Sequence, residues 1–149
     1  MILCIGNVLD DNMLGQVKDL AGRGHFLDGK KTAGWAAAGV KNNMQLSGED
    51  KVYKKISSIV LKAIGANEVF AAAALPRNVS RLLISRCDVG MGYGTHVDNA
   101  IMGTPPLRTD LAFTLFISDP ADYSGGELII EDPQGEQDIK LGGGELVLY

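Results

Sequence analysis

Cysteine is scarce in this chain: Cys4 and Cys87 are the only two among 149 residues. Two thiols are too few for a disulfide scaffold or for a cysteine-based zinc site. Long hydrophobic runs are missing too, since stretches such as "FAAAAL" (70–75) fall far short of the roughly 20 apolar residues a membrane helix needs. The start, "MILCIGNVLDD", has no basic region and reaches acidic residues too soon for a secretory signal. The expected setting is therefore cytoplasmic, with no membrane partner. Clustered positive charge is also lacking. The net charge is -4, and Lys51, Lys54, Lys55 and Lys62 fall on one predicted helix as its solvated side. Nucleic acid, whose binding rests on a positive surface, is excluded as a partner. A small anion is not, because there the local field counts for more than the net charge.

What is present reads as a globular chain with one sizeable core: 46% hydrophobic and 21% charged residues. Met13, Leu14, Val17, Leu20 and Ala21 recur at helical spacing behind the capping candidates Asp10 and Asp11. A second helix carries Val52, Ile56, Ile59, Val60 and Ala63 as one stripe, with Ser47 as its expected cap. Glu49 and Asp50 suit its positive end, and Gly65 its stop. "NEVFAAAAL" reads as a short helix closed by Pro76, and "GWAAAGVKNNMQL" as a strand of ambiguous period. From about residue 78 the texture changes. "VSRLLIS", "DLAFTLFIS", "ELIIED", "QDIKL" and "GELVLY" are short strand-like runs, separated by "DVGMG", "DPADYSGG", "DPQGE" and "GGG". The expected organisation is α+β, with a helical part over 1–77 and an antiparallel sandwich or jelly roll over 78–149.

The motifs divide unevenly. "GHFLDGKK" approaches a phosphate loop, but Lys31 stands where a magnesium-binding Ser or Thr is needed. "GMGYG" lies between strands and opens no helix, unlike a dinucleotide fingerprint. His25 has no acidic or histidine neighbour at ligand spacing and reads as a surface or helix-end residue. In "GYGTHVDNA", by contrast, His96 stands two residues before Asp98. On an extended segment these side chains share a face and converge, as two ligands of one metal ion would. A solvated turn is the bland alternative. On a jelly roll, a His-x-Asp pair fits the two-histidine, one-carboxylate facial arrangement of non-haem Fe(II), which leaves three positions open for a chelating cosubstrate and dioxygen.

The segment "RCDVGMGYGTHVDNA" is similar to the Arg-Tyr-x-x-Gly-x-x-Tyr-x-x-His-x-Asp stretch of PKHD-type hydroxylases, prolyl/lysyl-hydroxylase-like Fe(II)/2-oxoglutarate dioxygenases. The likeness continues in "RTDLAFTLFISDPADYSGGELIIED" and "IKLGGGELVLY", and reaches back to "AGWAAAGVKNNMQL". It implies a double-stranded β-helix (jelly roll) with N-terminal helices packed on it. It implies Fe(II) as metal, 2-oxoglutarate as cosubstrate and L-ascorbate as reductant, with hydroxylation of an unidentified C–H bond. By position, His96 and Asp98 are the first histidine and the carboxylate of the iron triad, and both count as catalytic. Tyr93 lines the 2-oxoglutarate pocket or packs beside it, while Gly125, Gly126 and Glu127 form a turn entering a strand.

Two departures matter. Cys87 occupies the place of the first tyrosine, which in related hydroxylases can touch 2-oxoglutarate. The third ligand, a histidine, and the arginine that pairs with 2-oxoglutarate are expected on strands beyond Tyr149. The 149 residues alone are then expected to be an incomplete, inactive barrel whose open edges favour homo-oligomers. Two other readings stay open: a cupin-like metal enzyme that does not use 2-oxoglutarate, and a non-catalytic jelly-roll binding module.

Overall fold

Capping decides where the helices begin. The structure, a computed structural model, describes residues 2–32 and 39–149, so the first part of "GWAAAGVKNNMQL" lies outside the described residues. Helix α1 (Asp11–Ala21) starts at Asp10, whose carboxylate accepts the Met13 N–H at 2.7 Å, and it turns Val17 into the core. Helix α2 (Lys51–Ala66) is capped by Asp50 rather than by the expected Ser47. The reason is that Asp50 serves two segments at once. One oxygen accepts the Val52 N–H at 2.8 Å, and the other accepts the backbone N–H of His25 at 2.9 Å. Gly65 does not stop this helix either. It sits in open space, where a helix interior tolerates glycine, and the chain runs on to Asn67. Asn67 ends α2 and caps α3 (Glu68–Ala74) by accepting the Phe70 N–H at 2.8 Å. The left-handed stop comes at Leu75 (φ 44), directly before Pro76. Among the described residues no single helix is long and apolar enough to cross a membrane.

The two hydrogen bonds to Asp50 hold its carboxyl below the usual carboxylate range, the His25 bond first and the Val52 bond second. A depressed native pKa means that this contribution to stability is complete above the ordinary carboxyl range. It is lost as pH falls through the native value. Asp50→Ala is therefore expected to lower the melting temperature at pH 7, with a smaller difference from the parent in strongly acidic buffer. Melting curves across that range check the sign.

The strands are short. In chain order they are β1 (Leu3–Ile5), β2 (Phe26–Asp28), β3 (Lys41–Asn42), β4 (Met44–Leu46), β5 (Ser85–Arg86) and β6 (Gly92–Tyr93). There follow β7 (Ile101–Met102), β8 (Leu107–Arg108), β9 (Phe113–Leu115), β10 (Leu128–Asp132), β11 (Gly135–Ile139) and β12 (Leu146–Leu148). Every strand pairing is antiparallel, in the orders β1-β12-β9, β2-β4-β5, β3-β6, β7-β8 and β10-β11. The architecture is α+β. Of the predicted strand "VSRLLIS" only the last residue, Ser85, is laddered, and β5 continues one residue beyond it to Arg86. Its backbone is spent on single contacts instead: Leu82 O accepts the Tyr53 hydroxyl, and Ile84 O accepts the Leu46 N–H.

Strand β12 organises the core. It is hydrogen-bonded on both edges, with Leu3 opposite Leu148, Ile5 opposite Leu146 and Phe113 opposite Leu148. Leu146, Val147 and Leu148 are 0%, 0% and 1% exposed, which explains why "LVL" reads as continuous apolar sequence rather than alternation. The helices pack against this sheet. Val17, Ile56, Val60, Ile64 and Phe70 join Ile5, Leu146 and Leu148 in one cluster, and Phe70 meets Phe113 edge-on at 5.6 Å. Pairings β1–β12, β3–β6 and β4–β5 each join residues on opposite sides of position 77.

Gly144 locks the N-terminal segment onto this sheet. Its N–H donates to Phe116 O at 2.8 Å, and its carbonyl accepts Val8 N–H at 2.9 Å and Leu9 N–H at 3.1 Å. Its φ is +87, and a Cβ here would lie 2.6 Å from the Leu9 carbonyl oxygen. Only glycine meets both conditions.

Candidate metal centre

The site is assembled by the pairing of β3 with β6. Lys41 lies opposite Tyr93 and Asn42 opposite Gly92. The ladder is extended by Gly94 N–H to Val40 O at 2.8 Å and by the Asn42 side-chain amide to Gly90 O at 3.3 Å. The backbones approach closely, and a Cβ on Gly94 would sit 3.0 Å from Val40 Cβ. This clamp presents the next residues, 95–98, which lie beyond the end of β6 and outside regular strand.

There His96 and Asp98 converge, with Nε2 3.5 Å from Oδ1. Two cis ligands of one ion, each at about 2.1 Å, stand roughly 3 Å apart, so a half-ångström adjustment would close the pair on a metal. The imidazole is also oriented by the backbone. Its Nδ1 lies 2.8 Å from Gly94 O. A carbonyl can only accept, so this contact puts a proton on Nδ1 and turns Nε2 towards Asp98, the side on which a cation would be held. The side chains are 27% and 61% exposed, so an ion could reach them from solvent.

An aromatic ring covers one side of the pair. Tyr93 stacks on His96 with ring centroids 3.8 Å apart and planes 14° from parallel. Burial, and secondly the Asp98 charge, push the Tyr93 phenol above its usual range. Tyr149, at the end of β12, is pushed up by burial and by the same carboxylate, against a hydrogen bond with the Thr114 hydroxyl at 3.5 Å. The field of Asp98 thus reaches phenols carried by both β6 and the β12 strand. A positive group completes the surroundings: the Lys41 ammonium stands 4.9 Å from the Tyr93 ring centroid, and Lys41 is 2% exposed.

The other residues singled out from the sequence make different contacts. His25 is exposed, and its backbone is tied to the start of α2. Cys87 is exposed, and partial desolvation followed by the Asp88 charge pushes its thiol up, which disfavours a thiolate ligand. Gly125 and Gly126 both have φ +72 and turn the chain into β10. Glu127 pairs with Lys140 at 3.7 Å, while Lys140 donates to Tyr123 O at 2.8 Å, so this motif pins a turn. Among the described residues no group of three or more His, Cys, Asp or Glu side chains could hold a metal. The sequence reading missed Lys41. Its signal was present in "KNNMQ", where Lys41, Asn43 and Gln45 alternate and all three are buried, a polar face where an apolar one is the usual sign of a strand.

No family model matches the chain. Among curated proteins it is 48% identical to a PKHD-type hydroxylase of Synechococcus sp. (strain JA-2-3B'a(2-13)), an alignment covering 100% of this chain and 67% of that protein. It is 44% identical to a PKHD-type hydroxylase of Rippkaea orientalis, covering 100% of the chain and 68% of the relative. It is also 44% identical to one of Psychrobacter sp. (strain PRwf-1), of which it covers 60%. With such identity along its entire length, and with the chain spanning about two thirds of these relatives, the protein belongs to the PKHD-type hydroxylase family.

Proposed function

We propose that this chain supplies two of the three iron ligands of an Fe(II)- and 2-oxoglutarate-dependent dioxygenase that hydroxylates its substrate. The observation that carries the reading is the convergence of His96 Nε2 and Asp98 Oδ1, with Nδ1 held by Gly94 O. An imidazole and a carboxylate side by side, both reached by solvent, suit Fe(II). On this reading the antiparallel strands belong to a double-stranded β-helix. The third ligand is a histidine beyond Tyr149, and the 149 residues alone do not turn over. The relatives, about half as long again as the matched region, have the length for such strands.

When bound, the metal supplies the oxidation. A substrate C–H bond, O2 and 2-oxoglutarate give the alcohol, succinate and CO2, and L-ascorbate would serve only to return an oxidised ion to Fe(II). This chain's residues do the rest. His96 and Asp98 bind the ion, and Gly94 O holds the His96 proton on Nδ1. Tyr93 covers one side of the imidazole, lines the cosubstrate pocket and limits water there. The reaction is placed in the cytoplasm. The test is calorimetric titration of 2-oxoglutarate into the anaerobic, Fe(II)-loaded full-length protein. Saturable binding that disappears in His96→Ala is expected. Iron binding without 2-oxoglutarate binding would point instead to a cupin-like enzyme, and binding of neither to a non-catalytic module.

Cys87 offers a second check. If the family tyrosine reaches 2-oxoglutarate, the thiol forgoes a hydrogen bond to a charged acceptor worth about 1.5–3 kcal/mol. Position 87 is exposed, so a larger side chain has space. Cys87→Tyr is expected to lower the apparent KM for 2-oxoglutarate roughly tenfold or more, with Fe(II) affinity and melting temperature little changed. An unchanged KM with a depressed melting temperature would rule out the pocket role.

A further inference from the structure

We infer that Lys41 is a positioning residue for the His96–Asp98 pair, acting through the ring of Tyr93. The inference rests on the reading of that pair as a metal site. Lysine is among the residues least often buried, because desolvating an ammonium is costly. Here it is 2% exposed in a two-residue strand, where any β-former would satisfy the backbone. Burial lowers its pKa, as that cost requires. The position also brings the ammonium close to the site. Lys41 is the ladder partner of Tyr93, and its ammonium stands 4.9 Å from the ring centroid, within reach of the negative π face.

Tyr93 transmits the contact. Its ring is stacked on His96 at 3.8 Å, although the residue itself is 39% exposed. The ammonium favours the inward rotamer, and the inward ring fixes the plane of the imidazole. In that plane Nδ1 reaches Gly94 O and Nε2 faces Asp98. Val40, next to Lys41, accepts the Gly94 N–H, so the same strand sets both the carbonyl that reads Nδ1 and the ring that restrains the imidazole. Lys41 is thus an outer partner of the kind whose loss weakens a metal site without removing a ligand.

The test compares Lys41→Met, which keeps the length and loses the charge, with Lys41→Arg, which keeps a cation over the ring. In metal-free, 15N-labelled full-length protein, long-range 1H–15N correlation spectra report the tautomer of each imidazole. His25, exposed and tied only through its backbone, serves as the internal control. The parent should show His96 as the Nδ1–H form. Lys41→Met should shift it towards the pattern of His25, and Lys41→Arg should hold it. Metal affinity, measured with Co(II) alone as probe, should fall about 10–100-fold in Lys41→Met and recover in Lys41→Arg. Should Lys41→Met fail to fold, Tyr93→Phe and Tyr93→Leu carry the same question: the ring without its hydroxyl should keep the His96 tautomer, and leucine should lose it. An unchanged His96 tautomer in Lys41→Met, or equal damage from methionine and arginine, would overturn the inference. A tautomer controlled by Lys41 in a protein that binds no metal would sustain the positioning role and sink the iron reading alone.

Discussion

His96→Ala and Asp98→Ala should each reduce Fe(II) affinity at least a hundredfold and abolish turnover in the full-length protein, while the fold survives. The first half follows from the ligand count. Outer partners of a metal site already matter about 10–100-fold, and loss of a directed ligand exceeds that. The second half follows from burial. The two side chains are 27% and 61% exposed and belong to no part of the hydrophobic cluster, so melting should move by no more than about 0.5 kcal/mol of stability. Asp98→Ala has a further signature in the metal-free protein. Its carboxylate helps raise the Tyr93 and Tyr149 phenols, so removing it should bring both titrations back towards the usual range, though burial keeps them from reaching it. Normal iron affinity in both variants would remove the site assignment.

Gly144→Ala should do the opposite, leaving the ligands in place and costing the fold. A non-glycine residue at φ +87 carries about 1–3 kcal/mol of backbone strain. A methyl group 2.6 Å from Leu9 O adds an overlap whose relief costs a similar 1–3 kcal/mol. Relief means moving the segment whose Val8 and Leu9 N–H groups bond to the Gly144 carbonyl, which threatens those two bonds as well. Together this is a large share of the stability of an ordinary domain. Denaturant unfolding of Gly144→Ala beside Gly65→Ala provides the comparison. Gly65 lies in a helix interior with open space around it, so alanine there should be neutral or stabilising. Equal effects at the two positions would show that the close approach at Gly144 does not hold.

The residues that carry chemistry and those that carry the helices were legible in different ways. Asp10, Pro76 and the α2 stripe act locally, so their effect follows from spacing alone. His96 and Asp98 stood out as a candidate pair because an imidazole and a carboxylate at a spacing of two can converge, and because the surrounding glycines and tyrosine match a family segment; the structure brings the two side chains to 3.5 Å. Asp50 was placed at the right helix end but given a lesser role than it has, since its second hydrogen bond comes from His25, 25 residues away. Lys41 was invisible for the same reason in stronger form. A lysine in a polar run reads as solvated, and the pairing of β3 with β6 sets it beside Tyr93, where it is buried.

The sequence by itself determined the α+β composition of elements, the cap of α1 and the apolar stripe of α2, and it set His96 two residues from Asp98, since each depends on residues within a few positions of one another. The tertiary structure alone decided that "LVL" at 146–148 is the central strand, that Leu3–Ile5 joins it across almost the entire chain, and that the His96 imidazole is held with its proton on Nδ1. Those outcomes depend on which distant backbone edges meet. Hydrogen-bonding groups are nearly the same at every residue, so that choice is made by packing of the whole core and leaves little trace in any short stretch.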